Sequence, residues 1–239
     1  KGKRTRGWRD LRDLPTLTID APHSRDLDDA LSAHPAGNDG AVRVFVHIAD
    51  VDSVVRPGTA IDAEARRRGT SVYLAGATVN MLPETLSEDR LSLLPGQDRR
   101  ALTAELRIDA EGCIRSVDLY PSTIRSDDRL SYKQVDAFLA GAPHELTGEL
   151  LSTLRWLRTA SSRLAAARAA RGGVSFDRTE TRVVVDEDQA LVDVVSRAQT
   201  PANTLIERLM VATNEGVASW LHDRGLPGVY RVHPAPDAR

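Results

Sequence analysis

The sequence predicts an α+β fold, a mixed and largely antiparallel sheet with hairpins packed by helices, on three observations. Val42–Ile48 and Leu102–Ile108 each alternate residue by residue, the period of a β-strand. Two turn sequences, Asp109-Ala110-Glu111-Gly112 and Asp186-Glu187-Asp188-Gln189, lie between segments rich in β-branched residues and read as hairpins. Helical spacing appears at irregular intervals between these strands, without the regular strand-helix alternation of a doubly wound sheet.

Taken in order, the chain opens with Lys1, Lys3, Arg4, Arg6, Arg9 and Arg12 against Asp10 alone. Such a cluster repels itself unless it is solvated or faces an anion, so residues 1–14 read as a basic lead-in. Residues 15–239 then read as one domain or a piece of one, with no internal repeat and no long linker. After Pro15, Thr16-Leu17-Thr18-Ile19 predicts a short strand that ends by delivering Asp20. In the next strand Val42, Val44, Val46 and Ile48 share one face, with Arg43, Phe45 and His47 on the other. Leu102, Ala104, Leu106 and Ile108 repeat the pattern, and Cys113–Tyr120 is the returning arm. Val183–Val185 and Leu191–Val195 form the second hairpin.

Three helices are expected. Leu146, Leu150, Leu154, Leu157 and Leu164 recur near helical spacing among Ala and Arg, until Gly172-Gly173 ends the run. Asn203–His222 aligns Leu205, Leu209, Val217 and Trp220 before Gly225 and Pro227 stop it, and Tyr132–Leu139 is a shorter candidate. Trp156, Trp220 and His47 read as core or structural residues, and Arg163, Arg168 and Arg171 as a solvated helix face.

Composition narrows the function. With 239 residues, 41% hydrophobic and 28% charged, the chain can bury a substantial core. Thirty-two Lys and Arg against 34 Asp and Glu give a net charge of −2, which excludes a simple polybasic binder; an anionic partner must meet a local feature. A lone cysteine, Cys113, excludes an internal disulfide and multi-cysteine zinc sites and suits a reducing compartment. No apolar run approaches the roughly 18 residues of a membrane span, and the start has no signal-peptide core. The expectation is a soluble cytoplasmic protein with no membrane partner.

The most informative stretch is Ile19-Asp20-Ala21-Pro22-His23-Ser24-Arg25-Asp26-Leu27-Asp28-Asp29-Ala30, where four carboxylates leave a strand and enter a loop. Their repulsion favours cations. Magnesium selects hard oxygen ligands and commonly combines a few carboxylates with water and substrate phosphate. Such a centre polarises a phosphodiester and stabilises the leaving oxygen. The same residues also suit a solvated loop in which Asp26 or Asp28 caps a helix starting near Asp29-Ala30. The calcium loop of helix-loop-helix proteins is excluded, since its central Gly and terminal Glu are missing.

These residues carry a resemblance. Ile19-Asp20 followed by Arg25-Asp26-Leu27-Asp28-Asp29-Ala30 resembles the signature of the ribonuclease II and ribonuclease R catalytic domain, the RNB domain. The likeness continues in order through Val46–Val51, Arg56-Pro57-Gly58, Arg68–Leu74, Met81-Leu82-Pro83, Leu86-Ser87, Leu91-Ser92-Leu93, Leu205-Ile206-Glu207 and Val229–His233. It implies a magnesium-dependent exoribonuclease, with manganese as an alternative ion, that degrades single-stranded RNA processively from the 3′ end to nucleoside 5′-monophosphates. Asp20, Asp26, Asp28 and Asp29 match the family's active-site aspartates, Asp28 being the one most tied to cleavage. Tyr73 and Phe176 match positions that sandwich the 3′ bases, and Tyr132 and Glu207 match positions that recognise the ribose 2′-hydroxyl.

The resemblance also has departures. Asn80 stands where Pro is expected before Met-Leu-Pro, and Pro234 stands where an acidic residue is common. A downstream Ser-Pro motif with paired basic residues, whose arginine contacts the reacting phosphate, is not in this sequence. Neither are the flanking cold-shock-like and oligonucleotide-binding barrel domains. The likeness thus covers about the first two thirds of the catalytic domain. The alternative expectation is a catalytically incomplete RNA-binding fragment or regulatory module, completed by missing RNA-binding domains or by a complementary chain.

Overall fold

The computed structural model describes residues 7–74, 77–173, 179–186 and 190–232. The chain begins with strands β1 (Arg9–Asp10), β2 (Leu17–Asp20), β3 (Asp29–Pro35) and β4 (Val42–Ala49), followed by helix α1 (Ala60–Arg68). A small hairpin, β5 (Val72–Leu74) and β6 (Ala77–Val79), precedes the long strands β7 (Asp98–Ile108) and β8 (Ile114–Arg125) and the short β9 (Asp128–Ser131). Helices α2 (Tyr132–Leu139) and α3 (Gly148–Ala170), the hairpin β10 (Thr179–Val185) and β11 (Leu191–Ala198), and helix α4 (Pro201–Asp223) complete the described elements.

Seven strands make one sheet in the order β1-β8-β7-β4-β3-β2-β9. The β1–β8 and β2–β9 pairs are parallel, and the others are antiparallel. The predicted α+β class is therefore the observed one. Helices α2, α3 and α4 lie on one face, where Leu17, Leu31, Val44, Val46 and Leu106 pack against Leu154, Leu157, Leu205 and Leu209. Fully burying each such side chain stabilises the fold by about 1.5–3 kcal/mol. Two of these helices start where side chains cap them. Ser131 and Gln134 form a reciprocal capping box for α2, and Thr200 and Asn203 do so for α4, with Pro201 in its first turn.

The opposite face is also covered. Ala30, Ala49, Ala101 and Ile124 pack under Leu86, Leu91 and Leu93, with Leu11 at the margin. Part of the expected basic lead-in belongs to this layer: β1 pairs with β8, and the Arg9 guanidinium lies 3.6 Å above the Tyr120 ring. Two-sided burial explains why Phe45 and His47, across from the valine stripe of β4, are buried as well. Trp156 packs against the core as expected, whereas Trp220 is only half-buried and carries Arg224 over its ring.

One expectation is corrected. No helix follows the acidic loop: Asp29–Pro35 is a strand, paired with β4 along its length from Asp29 opposite Ile48 to Pro35 opposite Val42. Its alanines mislead a propensity reading, but Leu31 and Ala33 close the same apolar layer as Val44 and Val46, and that packing decides the conformation. Among the described residues no helix is long and apolar enough to cross a membrane.

Under the second layer runs a buried polar ladder. The hydroxyls of Thr16 and Ser32 share a hydrogen bond of 2.7 Å, Ser32 Oγ meets His47 Nε2 at 3.1 Å, His47 Nδ1 meets Thr103 Oγ1 at 2.8 Å, and Thr103 meets Ser122 at 2.6 Å. Burial pushes the His47 imidazole down to about 3, so it is neutral in the fold. An unfolded chain protonates this histidine below its ordinary value near 6.5, while the folded chain does not. The stability it contributes is therefore full above about pH 6.5 and is lost as the pH falls toward 3. Denaturation of wild type and His47→Gln between pH 7 and 4 should give a difference whose slope approaches about 1.4 kcal/mol per pH unit in the acid range; a pH-independent difference would contradict a neutral buried His47.

A close approach fixes the β7–β8 turn. Gly112 has φ +82°, and a Cβ there would lie 2.2 Å from the carbonyl oxygen of Arg163 in α3. Gly112→Ala should lower stability by about 2–4 kcal/mol through the left-handed backbone and the clash together. Urea denaturation measures it, and a loss below about 0.5 kcal/mol would contradict the packing of α3 on this turn.

Candidate functional site: a carboxylate-lined cleft

Asp20 ends β2 and Asp29 begins β3, so these two carboxylates stand on the rims of the loop that contains Asp26 and Asp28. An acidic loop would spread if unrestrained, and here it is fastened from several sides. Leu27 is fully buried; its N–H donates to Ser92 Oγ at 3.0 Å, and its carbonyl accepts from Leu93 N at 2.8 Å. The Ser92 hydroxyl donates in turn to the Arg25 carbonyl at 2.7 Å, and the Asp28 carbonyl accepts from Ala49 N at 2.9 Å. At the start of the loop, Arg129 Nη2 donates to the carbonyls of Ala21, Pro22 and Ser24.

The carboxylates differ in environment. Asp20 Oδ1 accepts from the Ala21 N–H at 2.6 Å and from the Ser24 hydroxyl at 2.7 Å. Asp26 Oδ2 accepts from the Tyr73 hydroxyl at 2.6 Å. That bond, together with partial burial and the negative charges of Asp26, Asp28 and Asp20, pushes the phenol up to about 12. Asp28 is open to solvent on one side, yet desolvation on its others and the charges of Asp26 and Asp20 raise it above the ordinary carboxylate range. Asp29, half-buried behind it, is pushed up to about 7 by desolvation first and by Asp28 and Asp20 second. A cation among these oxygens would reverse both shifts.

The loop forms one wall of a cleft of about 710 Å³ whose lining includes Asp20, Asp26, Asp28, Asp52, Asp62 and Tyr73 and, among the described residues, no lysine or arginine. Tyr73 stands 66% exposed on the β5–β6 hairpin with its ring available for stacking. The hairpin is tied to the acidic loop a second time. Asn80, just beyond β6, donates to Glu88 at 3.1 Å, and Glu88 pairs with Arg25 at 3.3 Å. The asparagine that departs from the family pattern thus joins the two walls of the cleft.

Five of the expected site residues are therefore brought together: Asp20, Asp26, Asp28, Asp29 and Tyr73. Tyr132 is nearby by register, because Ser131 pairs with Asp20 across β9 and β2 and Tyr132 opens α2. Glu207 lies on the exposed side of α4, where it accepts a hydrogen bond from Gln199. Phe176 lies outside the described residues. Asp52, Asp62, Ser92 and Arg129 were not legible as site residues, since each reaches the loop or cleft through tertiary contact; Arg129 meets carbonyls 105 to 108 positions away.

The donor set fits a divalent cation. It is made of hard oxygens, and two of its carboxylates are raised by desolvation first and by their neighbours' negative charges second. Among the described residues no three His, Cys, Asp or Glu side chains already converge to enclose an ion. Magnesium would complete its shell with water and substrate oxygens, as it commonly does.

Comparison with known proteins places this geometry in a family. The family model described as the RNB domain matches residues 8–239. Ribonuclease R of Thermotoga maritima is 40% identical over 233 residues, which are 97% of this chain and 33% of that protein. Mycoplasma genitalium RNase R in complex with ribose methylated single-stranded RNA has a TM-score of 0.93 at 36% identity, over 98% of this chain and 36% of that one. The same enzyme in complex with double-stranded RNA also gives 0.93 at 36% identity, over 98% and 41%. The chain spans about a third of the length of the curated relatives it matches. With the RNB domain model matched over residues 8–239 and ribonuclease R relatives along nearly its whole length, this chain belongs to the RNB domain family.

Proposed function

We propose that this chain is the metal-binding part of an exoribonuclease that hydrolyses single-stranded RNA processively from the 3′ end, releasing nucleoside 5′-monophosphates in the cytoplasm. The observation that carries the reading is the crowding of Asp20, Asp26, Asp28 and Asp29 at one end of the sheet beside an exposed Tyr73. A cleft so acidic repels a phosphodiester until cations enter, so seating the scissile phosphate there requires metal. Family membership supports the reaction class, and the RNA complexes of Mycoplasma genitalium RNase R support RNA as the substrate.

In this reading Asp20, Asp26, Asp28 and Asp29 hold magnesium, or manganese in its place. The bound cation supplies polarisation of the scissile phosphodiester and neutralises charge on the departing 3′-oxygen. Asp28, exposed in the cleft beside Asp20 and Asp26, orients the attacking water. Tyr73 stacks the terminal base, which fixes the chain end without reading its sequence. Phe176 is assigned the other face of the stacked bases, and Tyr132 and Glu207 the ribose 2′-hydroxyl, whose donor and acceptor character distinguishes RNA from DNA.

With 5′-labelled single-stranded RNA and magnesium, a complete enzyme carrying this chain should give a ladder that shortens from the 3′ end. Asp28→Asn should slow that shortening by roughly 10²–10⁴-fold with RNA affinity nearly unchanged. Undiminished cleavage by Asp28→Asn would overturn the assignment of the site, and RNA binding without hydrolysis at saturating magnesium would select a non-catalytic module instead.

A further inference from the structure

We infer that Arg129 is a positioning residue for the metal site, setting the carboxylate of Asp20 through the turn that follows it. The inference rests on the metal-binding reading above and extends it to a residue outside the acidic cluster. Arg129 lies on β9 opposite Thr18 of β2, two positions before Asp20. From there a single nitrogen, Nη2, reaches the carbonyl oxygens of Ala21, Pro22 and Ser24 at 2.9, 3.0 and 2.7 Å.

Two of those residues are the ones that hold Asp20. The N–H of Ala21 and the hydroxyl of Ser24 both donate to Asp20 Oδ1, while the carbonyls of the same residues accept from Arg129. The turn is also closed on itself by Ser24 N donating to the Ala21 carbonyl at 3.1 Å. Arg129 thus fixes both ends of a turn whose donors commit one oxygen of Asp20, and among the described residues no donor is bonded to the other oxygen, Oδ2.

The charge of Arg129 is directed at backbone dipoles rather than at the carboxylates. Among the described residues it makes no ion pair, and it is not among the groups that shift Asp28 or Asp29. Its effect is therefore geometric: it keeps a crowded, self-repelling loop folded back so that the strand-borne and loop-borne carboxylates face one cleft. Groups that orient a metal ligand in this way commonly govern metal affinity by about 10–100-fold.

The test compares wild type, Arg129→Met and Arg129→Lys by three measurements. Manganese affinity is read from the free-ion paramagnetic resonance signal, amide exchange is read by mass spectrometry on metal-free protein, and RNA affinity is measured without metal at several salt concentrations. Arg129→Met should weaken manganese binding by about 10–100-fold and speed exchange over residues 20–25 while β4 and β7 keep wild-type protection. Arg129→Lys, shorter but still a donor, should fall between the two. RNA affinity and its salt dependence should stay at wild-type values. Unchanged manganese affinity with unchanged exchange would overturn the inference, and so would weaker RNA binding with a shallower salt slope, which marks a phosphate contact.

If Arg129→Met does not fold, Ser24→Ala and Arg129→Lys carry the test. Both act on Asp20 through one turn, so the double variant should weaken manganese binding no further than the more severe single one, and additive effects would overturn the inference. A wild-type protein that binds no manganese refutes the metal reading itself, whereas tight wild-type binding left intact by Arg129→Met refutes the role of Arg129 alone.

Discussion

The constraint on which the rest depends is the repulsion among four carboxylates gathered where β2 and β3 separate. Left alone, that charge would drive the loop outward into water. The fold opposes this with a buried leucine at the loop's centre, a serine that ties both sides of it, and an arginine that grips its first turn. Asp29, half-buried behind the loop, is pushed up to about 7 by desolvation first and by the charges of Asp28 and Asp20 second. A folded-state value raised in this way contributes stability at low pH that is lost as the pH rises through 7, unless a cation takes the proton's place.

The architecture around this loop supplies rigidity. Helices α2 to α4 cover one face of the sheet, and a second layer covers the other, so the strands that carry Asp20 and Asp29 are held from both sides. Charged groups forced together in a rigid frame meet an incoming ion without first having to assemble, which is the benefit of preorganisation. The more exposed β5–β6 hairpin brings Tyr73 over the cleft. It is linked to the acidic loop directly through Asp26, and indirectly through Asn80, Glu88 and Arg25.

Much of this was legible in the residues themselves. Period-two runs marked β4 and β7, the Asp109–Gly112 turn marked the return in β8, leucine spacing marked α3 and α4, and the aspartate-rich stretch marked the cleft. The conformation of residues 29–35 was not legible, because alanines without a clear period leave the choice to tertiary pairing. The burial of Phe45 was equally hidden, since alternation identifies two faces of a strand but not what covers the second one. Arg129 illustrates the same limit: it acts on a loop more than 100 residues away, and nothing adjacent to it in the chain distinguishes it from other arginines.

The most direct measurement is an anomalous difference map from crystals soaked in manganese with a short single-stranded RNA present. Strong peaks within coordination distance, about 2.0–2.3 Å, of oxygens from Asp20, Asp26, Asp28 or Asp29 are the expected result. A clean map around those side chains at full manganese occupancy elsewhere, with RNA visible in the cleft, would contradict the idea that the crowded loop exists to hold divalent cations against a phosphate.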